Sequence, residues 1–468
     1  MSQTPAVQHQ ARPVRGLRPP PPVARSGRTS IYSVIPLLAL CYSFLLFPIE
    51  LKVNVGGLNI YAFRAAIIIL AFLNIRRIFA FIKGFSLIDA LVLFSCLWTL
   101  ISFTYRDGIQ GGLVRSAAIF IDTFGAYLIA RTSIRSLNDV RIFLIMLAPG
   151  LLVAGTMVAV ESLTGRLIVR PLFSSVFGSA VSYEAGVARG AVQLLNEERL
   201  GLLRAFGPFS YPILGGTILA SALPLFLMSG LKRWPLILGI VASCMAFFSL
   251  SSAAFIGLAL GIALYIADRI LPRFRPVNWN LVVSVGAAYA LAVNFLLESG
   301  IVGVIGRFTL NPATAYIRRQ QWYYGTQSIA EHPFFGIGFA EIDRAFWMTA
   351  AIDAHFLLIG IRDGLITPVL LFLAAVVMMV MIGRKSSQVS KVDRDLLVGL
   401  NITLTVLLFA SMTVTYFSEA NVWFMAILGI GAACAAIPRA MPMRVPMQTR
   451  RPAPPAGMAA PRPQAPAE

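Results

Sequence analysis

Residues 140–161 read VRIFLIMLAPGLLVAGTMVAVE, an apolar run with Arg141 near one end and Glu161 at the other. The hydrocarbon core of a bilayer, about 30 Å thick, takes roughly 20 helical residues to cross. This run has that length and carries no charge between its two flanking residues. It therefore predicts a helix that spans a membrane.

The composition of the whole chain has the same character. Of the 468 residues, 57% are hydrophobic and only 13% are charged, whereas soluble domains carry about a quarter charged residues. This composition excludes an ordinary soluble enzyme and a disordered scaffold. It is typical of a polytopic membrane protein.

Apolar runs recur along the chain and predict an all-α membrane protein with about twelve transmembrane helices. The stretch 235–268 is too long for one helix of ordinary tilt, so a turn is expected at Ser249, Ser251 and Ser252. The predicted spans are 31–49, 58–75, 85–103, 113–130, 140–161, 209–229, 235–250, 253–268, 279–297, 354–382, 396–416 and 421–437.

The net charge of +19 is explained by the membrane topology and not by a surface that binds nucleic acid. Basic residues cluster in Pro-rich segments at both ends of the chain and beside alternate spans, whereas the short connections on the other side hold only Lys52 and Arg106. Loops rich in Lys and Arg remain in the cytoplasm. We therefore expect a transmembrane domain at 31–437 between cytoplasmic tails at 1–30 and 438–468, and no nucleic-acid partner.

Neither a cleaved leader nor a cysteine site is expected. The first residues lack the apolar core and the small-residue cleavage site of a signal peptide. The cysteines lie inside apolar runs, without the spacing of a disulfide framework or a metal site. They are Cys41, Cys96, Cys244 and Cys434.

Two long connections on the outer side, at about 162–208 and 298–353, are typical of functional loops. In the first, apolar residues recur at near-helical spacing from Glu184 to Ala205. This spacing predicts an amphipathic helix on the outer membrane surface.

The second long connection is expected to hold a helix. Asn311 and Pro312 suit an N-cap and a first helical position. His332 and Pro333 suit the end of the helix, because a proline restricts the residue before it. The helix would run to about Ala330.

Four arginines lie where they could contact a lipid head group at the outer membrane surface. A guanidinium grips phosphate oxygens through two parallel hydrogen bonds. One such arginine taken alone more often anchors a helix end to lipid phosphates, but several within two ordered loops favour a phosphate site. They are Arg204, Arg318, Arg319 and Arg362.

Arg318 and Arg319 are adjacent on the predicted helix, so their side chains diverge by about 100° and one of them is expected to face a given site. Arg318 shares its face with Trp322. A ring beside an arginine suits a sugar diphosphate, and an aromatic belt at the membrane interface is the alternative.

Asp353 and His355 stand at the start of the predicted tenth span. An imidazole can take or give a proton near neutral pH, and a carboxylate beside it can orient it or raise its basicity. The alternative for His355 is a histidine that packs at a helix start. His332, before a proline at a helix end, favours a structural role.

Few ionisable residues fall inside the predicted spans, the main ones being Arg64, Arg115, Asp122 and Glu161. Such groups usually face a cavity or a partner. A coupled transporter typically has broken helices and a polar cluster at the midplane. The sparse set favours chemistry at the outer surface over passage through the middle.

Three stretches resemble, in their order and spacing, the O-antigen ligase and O-antigen polymerase superfamily of bacterial membrane glycosyltransferases, of the GT-C type. The first stretch is 199–217, RLGLLRAFGPFSYPILGGT. The second joins RRQQW at 318–322 to EHPFFGIG at 331–338, and the third is IDAHFLLIGIRDGL at 352–365.

The resemblance implies that a glycan carried on polyprenyl diphosphate, in bacteria undecaprenyl diphosphate, is transferred to an acceptor hydroxyl at the periplasmic face of the inner membrane. It implies neither a metal nor another cofactor. By resemblance, Arg204 and one of Arg318 or Arg319 bind the diphosphate and stabilise it as it leaves. The family's histidine at the head of the tenth span would activate the acceptor hydroxyl.

The chain departs from the ligase pattern at this histidine. In ligases Asn, Ser or Gln follows the histidine, whereas Phe356 follows His355, and Gly364 comes too soon after it. Counting back from Gly364 by the family's spacing places the family histidine at Asp353. Some polymerase-like members carry aspartate there.

The resemblance thus favours a polymerase of lipid-linked repeats for exopolysaccharide, capsule or O-antigen, with Asp353 or His355 as the base. The nearest alternative is a ligase that transfers finished chains to a lipid or protein acceptor. Others are a multispan transporter or lipid-linked glycan flippase, and a scaffolding membrane protein. Expected partners are the polyprenyl-diphosphate-linked glycan, a glycan or lipid acceptor, membrane lipids, a chain-length regulator and a flippase.

Overall fold

In the computed structural model the described residues fold into packed α-helices with three short β-hairpins. The structure describes residues 31–55, 58–184, 187–191, 197–270, 286 and 312–438. The predicted tail at 1–30, nearly all of the tail at 438–468 and all but residue 286 of the predicted ninth span lie outside this part of the chain.

The helices are numbered here in chain order among the described residues. A π-helical turn follows α4, a second follows α5, and a 3-10 turn follows α10. The helices are α1 (Ile31–Leu45), α2 (Ala62–Leu73), α3 (Ile75–Ile82), α4 (Leu87–Asp107), α5 (Val114–Phe120), α6 (Ala126–Ser133), α7 (Leu137–Thr164), α8 (Val169–Phe177), α9 (Pro212–Met228), α10 (Trp234–Cys244), α11 (Ser252–Ile270), α12 (Pro312–Glu331), α13 (His355–Asp363), α14 (Ile366–Ser386), α15 (Lys391–Ala410) and α16 (Ser418–Ala436).

Five helical runs are long and apolar enough to cross a membrane, counted over the described residues. The pair α2 and α3, bent by 72° where they meet, would make a sixth, and α1, α9 and α10 are shorter apolar helices. The helices indicate a multi-pass membrane protein, but the predicted count of about twelve spans is not confirmed. The five runs are Leu87–Ser133, Leu137–Thr164, Ser252–Ile270, Ile366–Ser386 and Ser418–Ala436.

The run from Leu87 to Ser133 folds back on itself at Gly108. A Cβ added at Gly112 would lie 2.1 Å from the carbonyl oxygen of Phe103, although a straight helix would separate these residues by about 13 Å at 1.5 Å per residue. Gly108 permits the turn with φ +73°, and α5 packs against α4.

The described strands form three hairpins, and two of these lie where the sequence predicts an amphipathic helix. The strands form three separate antiparallel pairs. These are β1 (Lys52–Val55) with β2 (Leu58–Tyr61), β3 (Val181–Glu184) with β4 (Val187–Ala191), and β5 (Glu198–Arg199) with β6 (Leu202–Leu203).

The predicted amphipathic helix at 184–205 is therefore wrong for the described residues. Leu200 and Gly201 both have positive φ, +55° and +75°. Such a pair makes the two-residue turn that joins hairpin strands. Gly190 within β4 further disfavours a helix, because glycine has a low helix propensity.

The second long connection forms the expected helix, because α12 begins at Pro312 and ends at Glu331, before His332 and Pro333. The proposed cap Asn311 lies outside the described residues. The expected break near Ser249 is also present, between α10 and α11.

The predicted tenth span, 354–382, is two helices and not one. Gly364 separates α13 from α14 with φ +82°. A Cβ at this position would lie 2.1 Å from the carbonyl oxygen of Phe334. The segment 333–339 packs closely here, and Leu365 donates its N–H to the carbonyl of Pro333 at 2.8 Å.

Helices α9 and α16 form the centre of the helical body, and nearly all of their residues are buried. The indole N–H of Trp423 on α16 donates to the hydroxyl of Ser221 on α9 at 2.9 Å. A Cβ at Gly429 would lie 2.5 Å from the carbonyl oxygen of Tyr127. Small residues thus let α16 and α6 approach closely, as is common between membrane helices.

Gly364→Ala is expected to destabilise the protein more than Gly108→Ala does. Both glycines combine positive φ with ψ near 180°, so alanine carries strain of order 1–3 kcal/mol at each. Nothing lies within 4 Å of a Cβ at Gly108. Only in Gly364→Ala does the new Cβ collide with a backbone carbonyl, and this collision lowers the free energy of unfolding by about a further 1–3 kcal/mol. Thermal unfolding in detergent measures the difference. Equal decreases in the unfolding temperature of the two variants would contradict this prediction.

Candidate functional site

Arg204, Arg318 and Asp353 come together from three separate stretches of chain. Arg204 follows β6, Arg318 lies on α12, and Asp353 lies in the segment before α13. Burial lowers the pKa of both guanidinium groups, the charge of Arg204 lowers the pKa of Arg318 further, and the Asp353 carboxylate acts on both in the opposite direction. The structure thus joins the two long loops at one site.

Arg204 is held by Glu197 in the β5–β6 hairpin. Its Nη1 donates to Glu197 Oε2 at 2.7 Å, and its backbone N–H donates to the Glu197 carbonyl at 2.8 Å. Glu197 also accepts from Arg199 at 2.6 Å. Burial raises the pKa of the Glu197 carboxyl, but the hydrogen bonds from the two arginines outweigh it and the net pKa is lowered. The carboxylate stays charged and fixes Arg204.

Arg204 has an unsatisfied donor, because its buried Nε has no hydrogen-bond partner within the part of the chain that the structure describes. Burial lowers the pKa of Arg204, and the positive charge of Arg199 adds to this, against the opposing attraction of Glu197. An anion bound here would offset that cost, since an opposite charge favours the protonated guanidinium.

Arg318, not Arg319, faces the site. Arg318 is buried at 6% exposure, and its Nε has no hydrogen-bond partner among the described residues, whereas the neighbouring Arg319 is exposed. Burial lowers the pKa of Arg318, and the nearby Arg204 lowers it further, while Asp353 raises it. Among the described residues, Arg199, Arg204 and Arg318 share the site with two carboxylates, those of Glu197 and Asp353. One positive charge is left over, which suits an anionic ligand.

Trp322 serves the packing of α12. Its indole N–H donates to the carbonyl of Met412 at 3.1 Å. Its partly buried ring packs on a small apolar cluster that includes Met348 and Leu357. The prediction that Trp322 binds substrate is not tested by these contacts.

The backbone around Asp353 is fixed while its carboxylate is exposed. Gln321 of α12 accepts from the Asp353 N–H at 3.1 Å and donates to the Ala351 carbonyl at 2.8 Å. Thr415 donates its hydroxyl to the Ile352 carbonyl at 2.5 Å. Among the described residues nothing hydrogen-bonds the Asp353 carboxylate, which lines a cavity.

The structure does not bring His355 to Asp353. The imidazole is buried, neither of its nitrogens is hydrogen-bonded by a described residue, and its ring centroid lies 5.0 Å from that of Tyr416. It lines a different cavity, beside α4. A hydrogen bond from Asp353 to orient this histidine is therefore not formed. His332 is exposed at the end of α12, where its carbonyl accepts from the Gly336 N–H.

Arg362 lines the same cavity as Asp353 and also the cavity of His355. Its Cζ lies 4.7 Å from the ring centroid of Phe339, and the Cζ of Arg115 lies 5.3 Å from that centroid. These cation–π contacts fix the guanidinium at the boundary between the two cavities.

Sequence reasoning missed the residues that hold the Arg204 segment. Glu161, which it marked only as an ionisable group within a span, accepts four backbone N–H groups. The donors are Ile168, Val169, Phe206 and Gly207, at 2.9, 2.8, 3.1 and 2.7 Å. A carboxylate at the end of α7 thereby ties down the chain just after Arg204.

A second anchor lies at Ser210, before α9. Glu419 accepts from the Ser210 N–H at 2.7 Å and from its hydroxyl at 2.8 Å. Arg170 donates to the Ser210 carbonyl at 2.8 Å and pairs with Glu50 at 2.6 Å. The only sequence signal for these residues is charge at the edge of an apolar run.

Asp122, the most deeply placed acid in the sequence prediction, is paired with Arg64. The Arg64 Nε and Nη2 atoms donate to the two carboxylate oxygens at 2.8 and 2.5 Å. This two-point pair is largely buried. The charges therefore compensate each other, as buried charges in membranes usually do.

Glu161→Ala is expected to lower both the stability of the protein and the affinity of the Arg204 site. The change leaves buried N–H groups without acceptors, and each unsatisfied group costs about 1–3 kcal/mol. Thermal unfolding in detergent is the readout, with Glu198→Ala, an exposed residue of the same loop, as the control. An unfolding temperature equal to that of Glu198→Ala would contradict the anchoring role.

The fold and this site define a multi-pass membrane protein with two arginines and an exposed carboxylate where two long loops meet. Residues 237–361, about a quarter of the chain, match the family model described as O-antigen ligase. The match includes Arg318 and Asp353 and confirms the resemblance to the O-antigen ligase and polymerase superfamily. No curated protein matches the chain.

The family match supports an O-antigen ligase-type function in polysaccharide biosynthesis. It indicates a glycosyltransferase-like ligase or polymerase. This family implies lipid-linked glycans as substrates, and acceptors that receive them. Arg204 lies outside the matched residues.

Proposed function

We propose that the protein is a glycan polymerase that joins polyprenyl-diphosphate-linked repeat units at the periplasmic face of the bacterial inner membrane. The observation that supports this most is the meeting of Arg204 and Arg318 with the exposed carboxylate of Asp353. No described residue hydrogen-bonds the Nε atom of either arginine. Both termini would be cytoplasmic, as the basic inner loops predict.

In this proposal the two arginines bind the diphosphate of the donor. The acceptor hydroxyl oxygen attacks the anomeric carbon of the donor sugar, and the bond from that carbon to the phosphate oxygen breaks. The electron pair leaves with the polyprenyl diphosphate. Fixed guanidinium groups stabilise the charge that develops on this leaving group, which is how charged donors lower such barriers.

Asp353 would take the proton of the acceptor hydroxyl. A general base must reach the proton that it removes, and Asp353 has an exposed carboxylate in the field of both arginines. His355 is packed against Tyr416 and opens to another cavity. The geometry supports Asp353 over His355.

The acidic residue also favours a polymerase over a ligase, because the ligase pattern has histidine where the spacing from Gly364 places Asp353. The acceptor is then the growing lipid-linked glycan itself. A chain-length regulator and a flippase would act with the protein in the same process.

Reconstitution tests this choice. The purified protein in liposomes would receive the lipid-linked repeat of its own host as the only substrate. A polymerase is expected to form a ladder of longer lipid-linked chains. No product until a separate lipid or protein acceptor is added would identify a ligase and overturn the proposal.

A further inference from the structure

A cavity of about 260 Å³ opens beside Asp353. It lies between the start of α9, the segment 338–353, α13 and the residues that precede α16. The residues that matter for its chemistry are Tyr211, Glu341, Arg344, Asp353, Arg362 and Phe417.

The ionisable groups of this lining balance. Asp353 and Glu341 are acids, and Arg344 and Arg362 are bases. The cavity therefore differs from the neighbouring site of Arg204 and Arg318, where three described cations face two acids. A balanced lining suits an uncharged, hydroxyl-rich ligand, because a diphosphate would meet Asp353 and Glu341 as like charges.

Two aromatic side chains that line the cavity are partly exposed to solvent. Tyr211 is 42% exposed and Phe417 is 41% exposed. Aromatic rings combined with a few fixed polar groups are typical of small-molecule sites. Phe339 also lines the cavity, but Arg362 and Arg115 already lie against its ring.

The polar groups are held in place before any ligand arrives. Arg344 donates to Glu341 at 2.7 Å and to the Met348 carbonyl at 2.7 Å, and its buried Nε has no partner in the described part of the chain. The Asp353 backbone is fixed by Gln321. Such preorganisation lowers the entropy cost of binding.

We propose that this cavity binds the terminal sugar of the acceptor glycan, with Tyr211 and Phe417 against the sugar ring and Asp353 at the hydroxyl that reacts. This proposal rests on the proposed function, since it divides the site into a charged donor side and a neutral acceptor side. The other hydroxyls of the sugar would form hydrogen bonds with Arg344, Glu341 and Arg362. These contacts would determine which sugar the cavity binds.

Direct binding tests the cavity independently of catalysis. The probe is the lipid-free oligosaccharide released by mild acid from the host's own lipid-linked repeat. Its binding to the protein in nanodiscs is followed by saturation-transfer NMR. We expect Tyr211→Leu and Phe417→Leu each to weaken binding about fivefold to tenfold, since leucine fills space without a ring face.

Phe346→Leu is the matched control, because this ring of the same segment is 97% exposed and does not line the cavity. It should bind the oligosaccharide as the unaltered protein does. Thermal unfolding of each variant in nanodiscs verifies the fold, and Glu341→Gln, which changes charge with little change in shape, gives a second test of the cavity.

The outcomes separate this inference from the proposed function. Unchanged oligosaccharide binding in Tyr211→Leu, Phe417→Leu and Glu341→Gln would overturn the acceptor cavity, even if the protein polymerises the repeat. Weakened binding in these variants, in a protein that makes no glycosidic bond, would support the cavity and overturn polymerisation.

Discussion

Arg318→Ala is expected to lower the turnover of the lipid-linked repeat by about 100-fold or more. Loss of one fixed donor to a developing negative charge typically costs 10²–10³ in rate, and Arg318 is a buried cation whose Nε has no partner in the described ranges. The initial rate of polyprenyl diphosphate release from liposomes measures the effect. Equal amounts of folded protein must be compared.

The adjacent arginine is the control for this result. Arg319→Ala removes the same charge from the next position of α12, where the side chain is exposed. We expect a loss of less than about threefold, in line with the small value of exposed charges. Equal losses in Arg318→Ala and Arg319→Ala would indicate a diffuse electrostatic effect in place of a diphosphate contact.

Asp353→Asn is expected to lower kcat by about 10²–10⁴, the usual contribution of a positioned base. Binding of the donor should be kept or strengthened, because Asp353 faces Arg204 and Arg318 and its charge opposes a diphosphate. A fall in kcat without a rise in the donor KM distinguishes loss of the base from loss of binding.

His355→Phe separates the two residues proposed from the sequence as bases. Phenylalanine keeps the ring that packs against Tyr416 and Phe424 but cannot transfer a proton. Turnover within about threefold of the unaltered protein is expected. If His355→Phe lowered turnover as much as Asp353→Asn does, proton transfer would have to be assigned to the histidine.

Much of the architecture could be predicted because it depends on local sequence. Pro312 and the pair His332-Pro333 mark the ends of α12, and the helix follows both marks. Two adjacent residues of a helix diverge by about 100°, so the sequence could predict that one arginine of α12 faces the site. It could not select Arg318, since that depends on packing against distant segments.

The errors arise where distant backbone contacts decide the structure. The break at Gly364 depends on the carbonyl of Phe334, which lies on another segment. The hairpin at Leu200 and Gly201 overrides an apolar spacing that resembles a helix. Glu161 binds backbone N–H groups, and these are present in every residue but proline, so no side-chain pattern identifies its partners.

The most direct measurement of the central claim is the stoichiometry of bond formation in liposomes that contain the purified protein and labelled lipid-linked repeat. We expect one polyprenyl diphosphate to be released for each glycosidic bond in a growing ladder, and both products to be lost in Arg204→Ala. Movement of the repeat across the bilayer without release of polyprenyl diphosphate would contradict glycan transfer and identify a transporter.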